Sequence, residues 1–98
     1  MMTATGVTMI RPADELGAVL SSRFAAETLR SRIESELDAG HEVTVSFEGV
    51  IAISPSFADE LFAKMPPEAE RSGRLRFVDL SEDLLAIARF VKEGRGRS

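Results

Sequence analysis

The chain has 98 residues, a formal net charge of −4, 44% hydrophobic and 29% charged residues, and no cysteine. This is the balance of one ordinary globular domain, and it excludes disulfides, thiolate catalysis and zinc sites built on cysteine. The acidic surplus argues against nucleic acid as a partner. No apolar run approaches the ~20 residues of a membrane helix, so no membrane partner is expected either.

Residues 1–98 read as a single domain, with a loose start at 1–5 and a flexible Gly-rich tail at 93–98 that carries Arg95 and Arg97. The start lacks the charged-then-apolar order of a secretory signal, so a cytoplasmic, bacterial-style protein is expected. The single histidine, His41, follows Gly40 in a turn and cannot build a histidine metal site by itself.

Val7 to Ile10 form a short strand that Pro12 limits. Leu16 to Leu20 is short and apolar, either a second strand or a lead-in to the next helix. Residues 22–39 have helical periodicity, with Phe24, Ala26, Leu29, Ile33 and Leu37 expected on the buried face. Ser21 or Ser22 can cap this helix and Gly40 can end it. Arg23, Arg30, Arg32, Glu27, Glu34 and Glu36 fall on its wetter face.

Val43, Val45 and Phe47 alternate with Thr44, Ser46 and Glu48, a strand with one buried face. Gly49 permits a bend, and Val50, Ile51 and Ile53 continue the apolar character. A second helix runs from about Ser56 to Met65, with Phe57, Leu61, Phe62 and Met65 as its buried stripe and Pro66–Pro67 as its stop. Leu75 to Leu80 is a further strand. Ser81 caps a last helix whose core face is Leu84, Ile87, Ala88 and Val91. Strands alternating with helices predict an α/β fold: a central mixed or mostly parallel sheet, three main helices, and right-handed crossovers.

The stretch from Ser46 to Phe62 is the candidate functional centre. In one register Ser54 caps the helix with Pro55 at its first position. In the other Ser56 is the cap and Asp59 completes a capping-box-like pair. Both place Ser56 in the first turn, where free backbone N–H groups favour negative charge. No His or Lys base stands beside a serine in the sequence, and no glycine-rich phosphate loop is present, so no catalytic residue is expected. Glu48, Asp59 and Glu60 are the only acidic group that suggests a Mg²⁺ enzyme, and solvated surface carboxylates are the simpler reading. Neither a cofactor nor a metal is expected. Phe57, Leu61 and Phe62 read as core, and Arg23 is expected to pair with Asp59 or Glu60.

The same stretch resembles a bacterial STAS-like domain family of unknown function. In that family a strand ending Asp-Phe-x-x-Val leads to Ser-Phe-Ala-Asp-Glu. Here the match runs through Phe57-Ala58-Asp59-Glu60-Leu61, with Ser22-Arg23 matching an upstream helix start. Ser46 stands where the family usually has Asp. The resemblance extends distantly to anti-sigma factor antagonists, whose helix-start serine is phosphorylated by a kinase with a histidine-kinase-like ATPase fold. It implies a STAS-like fold and a regulatory protein-interaction module with a protein partner, such as that ATPase or another signalling protein. It places Ser56 at the phosphoacceptor, Ser54 where those relatives have Asp, and Phe57 where they have Gly. Arg23, Glu48, Ser54, Phe57, Asp59 and Glu60 are the accompanying interaction or structural residues. The alternative is a small-ligand or nucleotide-binding domain using the helix start as an anion site, with Arg23 supplying charge.

Overall fold

The computed structural model describes residues 6–96. In chain order the elements are β1 (Val7–Ile10), α1 (Pro12–Leu16), β2 (Val19–Leu20), α2 (Arg23–Asp38), β3 (Glu42–Ser46), β4 (Ala52–Ile53), α3 (Pro55–Ala58), α4 (Pro67–Arg71), β5 (Leu75–Val78) and α5 (Glu82–Gly96). A π-helical turn, Asp59–Ala63, continues α3 without a break. No helix among the described residues is long and apolar enough to cross a membrane.

The strands form two parallel sheets: a three-stranded one in the order β1-β3-β5, and a two-stranded one pairing β2 with β4. The three-stranded sheet is the central parallel sheet expected from the alternation, and the small β2-β4 sheet is added to it. The bend at Gly49 (φ +87°) turns the chain off the end of β3, so Ala52 and Ile53 pair with Val19 and Leu20 instead. A Cβ at position 49 would lie 3.2 Å from that of Ala13, so the turn also needs glycine for space.

Register decides which face of the large sheet is buried. Val43 aligns with Thr8 and Leu75, and Val45 with Ile10 and Phe77. Ile10, Val43, Val45, Leu75 and Phe77 point to the helix layer and meet Ala26, Leu29 and Ile33 of α2, Phe62 of the π turn, and Leu84, Ala88 and Val91 of α5 in one core. Phe47, Phe62 and Phe77 form an aromatic cluster, with Phe62 edge-on to Phe77 at 5.0 Å between centroids.

Several local expectations change. Phe24 is 76% exposed rather than buried. At ~100° per residue it lies ~200° round the helix from Ala26, so it cannot share the stripe of Ala26, Leu29, Ile33 and Leu37. The residues Pro66–Pro67, expected only to stop a helix, also start one: Pro67 occupies the first position of α4, where its missing N–H costs nothing. Five-residue α1 and α4 thus join the three expected helices. β5 ends at Val78 because Asp79 takes a left-handed φ of +60°. The region expected to be tail from residue 93 is helical as far as Gly96, while residues 1–5 and 97–98 lie outside the described residues.

Phe62→Ala should cost about 3–5 kcal/mol, because it empties the meeting point of sheet, π turn and α5. Urea unfolding followed by circular dichroism measures this, and an unchanged midpoint would contradict the packing described.

Candidate functional site

The two cap registers resolve in favour of Ser54. Its Oγ accepts a hydrogen bond from the Phe57 N–H at 3.1 Å and donates one to the Ser21 carbonyl at 3.1 Å. Its own N–H donates to the Leu20 carbonyl at 2.8 Å. Pro55 takes the first helical position. Ser54 therefore caps α3 and ties it to the end of β2. Ser56 follows in the first turn, exposed to solvent and not needed as the cap.

The next turn runs inward. Phe57, Ala58, Glu60, Leu61 and Phe62 are all buried. Glu60 is only 1% exposed, a carboxylate in the core layer. Three cations hold it. Arg23 Nη1 donates to Oε1 at 2.8 Å, Arg30 Nη2 to Oε2 at 2.9 Å, and Lys64 Nζ to Oε1 at 2.9 Å. The helical period explains the pattern. Arg23 and Arg30 are seven residues apart, two turns along one side of α2, and Lys64 is four residues beyond Glu60 on its own helix. Arg30 also pairs with Glu34 at 3.4 Å. Asp59 lies 4.0 Å from Arg23 Nη1, at the edge of ion-pair range.

The Lys64 hydrogen bond, with those of Arg30 and Arg23, outweighs the opposing effect of burial and holds the Glu60 carboxyl down at about 2. Glu60 in return raises the Arg30 guanidinium above its ordinary value. Arg30 and Lys64 escaped the sequence reading. The available signal was the seven-residue spacing of Arg23 and Arg30 flanking the apolar stripe of α2.

The other candidates lie elsewhere. Glu48 is exposed and pairs with Arg11 at 3.1 Å, apart from the Glu60 cluster. Among the described residues no group of three His, Cys, Asp or Glu side chains is placed to hold a metal ion. Phe57 is wholly buried, so it serves the core rather than a contact surface. Ser46 is buried at the end of β3, where its Oγ donates to Asp79 Oδ2 at 2.6 Å and accepts from the Glu48 N–H at 3.3 Å. A carboxylate thus stands at this end of β3 after all, supplied by Asp79 just past the end of the neighbouring β5. Glu36 accepts from Thr8 Oγ1 at 2.8 Å and lies 2.7 Å from His41 Nδ1. The His41 hydrogen bond leads in holding the Glu36 carboxyl below its usual range.

The Glu60 cluster sets an acid limit on the fold. As pH falls, the unfolded carboxyl, near its ordinary 4.5, takes up a proton before the folded one near 2 does. The contribution is complete above about 4.5, shrinks with falling pH, and is gone below about 2. Glu60→Gln should cost about 1–3 kcal/mol at pH 7, because it removes the charge that three partly exposed cations share. The variant should also show a flatter stability profile over that acid window. A variant as stable as the wild type, with the same acid profile, would contradict this role.

No curated protein and no solved structure gives a significant match to the chain. One family model does, described as a STAS-like domain of unknown function (DUF4325), and it spans residues 25–85. That span runs from α2 to the start of α5 and contains the capped turn and most of the Glu60 cluster. With parallel sheets, helices packed on them and more than half its length matched, the chain belongs to the STAS-like domain family of unknown function.

Proposed function

We propose that the chain is a non-catalytic regulatory module that docks on a protein partner through the surface at the start of α3, with Ser56 as the phosphoacceptor. The observation that carries this reading is the division of labour in the motif. Ser54 does the capping, while Phe57, Ala58, Glu60 and Leu61 serve the interior. Ser56 remains exposed at a helix start with its hydroxyl not committed to the cap.

The resemblance to anti-sigma factor antagonists supplies the partner class: a bacterial, cytoplasmic kinase with a histidine-kinase-like ATPase fold. In the reaction Ser56 Oγ forms a bond to the γ-phosphorus of ATP. The bond from that phosphorus to the β–γ bridging oxygen breaks, ADP leaves, and the hydroxyl proton passes to solvent or a kinase base. The product adds about −1.5 to −2 charge beside Asp59, enough to change what the surface attracts without refolding it. The alternative of a nucleotide or small-anion site is less well supported. Arg23, the cation it would use, already donates to Glu60.

Incubation with ATP and a serine kinase of the histidine-kinase-like ATPase fold, drawn from the same genome as the chain, should add one phosphoryl group by intact mass. Ser56→Ala should abolish the gain. No gain in the wild type, or an equal gain in Ser56→Ala, would overturn the phosphoacceptor assignment.

A further inference from the structure

The three-stranded sheet is parallel, and its strands are added in one direction, β1 to β3 to β5. Right-handed crossovers in one direction put every connecting helix on the same face. The other face carries Val7 and Met9 from β1, Glu42, Thr44 and Ser46 from β3, and Arg76 and Val78 from β5, with Ser46 buried and bonded to Asp79 at one end of it. Val7 is 66% exposed and Met9 57%. Parallel sheets are normally covered on both faces, so this one is exceptional.

We infer that this bare face is the contact surface of a homodimer, covered by the same face of a second copy. The argument is charge complementarity. Glu42 and Arg76 carry opposite charges on this face, and among the described residues neither has an ion pair or hydrogen bond from its side chain. Glu42 aligns with Val7 across the ladder, and Arg76 with Thr44. With strands ~4.8 Å apart and ~3.3 Å per residue, the six side chains other than the buried Ser46 occupy known grid positions. A two-fold axis in the plane between two stacked sheets can bring Glu42 over Arg76 of the second copy. The same axis then places Val7 over Val78 of the second copy, and Met9 and Thr44 beside their own equivalents. Opposite charges and apolar side chains therefore match in one operation. The strands of the two copies cross steeply, close to the orthogonal class of sheet packing.

The footprint of three four-residue strands is on the order of 200 Å², against about 800 Å² per partner in a standard interface. The dimer is accordingly weak and salt-sensitive. Because α3 lies in the helix layer on the opposite side of the sheet, dimerisation leaves Ser56 free and is independent of the docking reading above.

Sedimentation equilibrium of the full chain from about 10 μM to 1 mM tests the inference, with thermal melts confirming that each variant is folded. The wild type should show reversible self-association. Glu42→Arg and Arg76→Glu should each weaken it at least about tenfold, and the double swap should restore it to within about threefold of wild type. A wild type that stays monomeric throughout, including one whose bare face instead binds a different protein, would overturn the inference. So would association indifferent to both charge reversals, or a double swap that fails to recover.

Discussion

A carboxylate buried to 1% exposure is tolerable only if its charge is met where it lies. Glu60 is that carboxylate, and the need to neutralise it links α2 to the π turn that continues α3. Arg23 and Arg30 reach it from α2, and Lys64 reaches it from the end of its own π turn. The cluster therefore fixes the orientation of α2 against α3. Ser54 fixes the other end of the same contact by bonding to the Ser21 carbonyl just before α2 begins. Two polar anchors, one at the cap and one in the interior, set the position of the short turn between them, and Ser56 sits on that turn.

The topology gives the molecule two unlike sides. All helices gather on one face of the β1-β3-β5 sheet because the strands are laid down in one direction. The helix side presents the α3 start, and the sheet side presents the small patch around Glu42 and Arg76. The two surfaces lie on opposite sides of the sheet, so the docking and the self-association proposed above do not compete. At the end of β3 the bond from Ser46 to Asp79 closes the sheet, and the left-handed backbone at Asp79 lets that side chain turn back.

Periodicity made much of this legible. The strands at Val7–Ile10 and Glu42–Ser46, the helix after Ser22 and the helix after Ser81 follow from alternation, apolar spacing and caps. The two-residue pairing of β2 with β4 was not legible, because so short a strand has no period to read. Phe24 is apolar enough to suggest the buried stripe, but its angle round the helix excludes it. At the candidate site, the pairing of Arg23 with Glu60 could be anticipated from the motif. Lys64 carries no such signal, and the seven-residue spacing of Arg23 and Arg30 gains meaning only when two helices approach, because charged residues on a helix are usually solvated. Cap competition between Ser54 and Ser56 was decided by a tertiary bond to Ser21, which no local pattern contains.

The central claim is that the motif works through a buried ion cluster clamping α2 to α3, leaving Ser56 outside it. A double-mutant cycle joining Arg23→Ala and Glu60→Gln, read by urea unfolding at pH 7, tests that claim most directly. The account predicts a coupling energy of at least about 1 kcal/mol between the two sites. Strictly additive losses would contradict it, because Arg23 would then stabilise the fold without acting on Glu60.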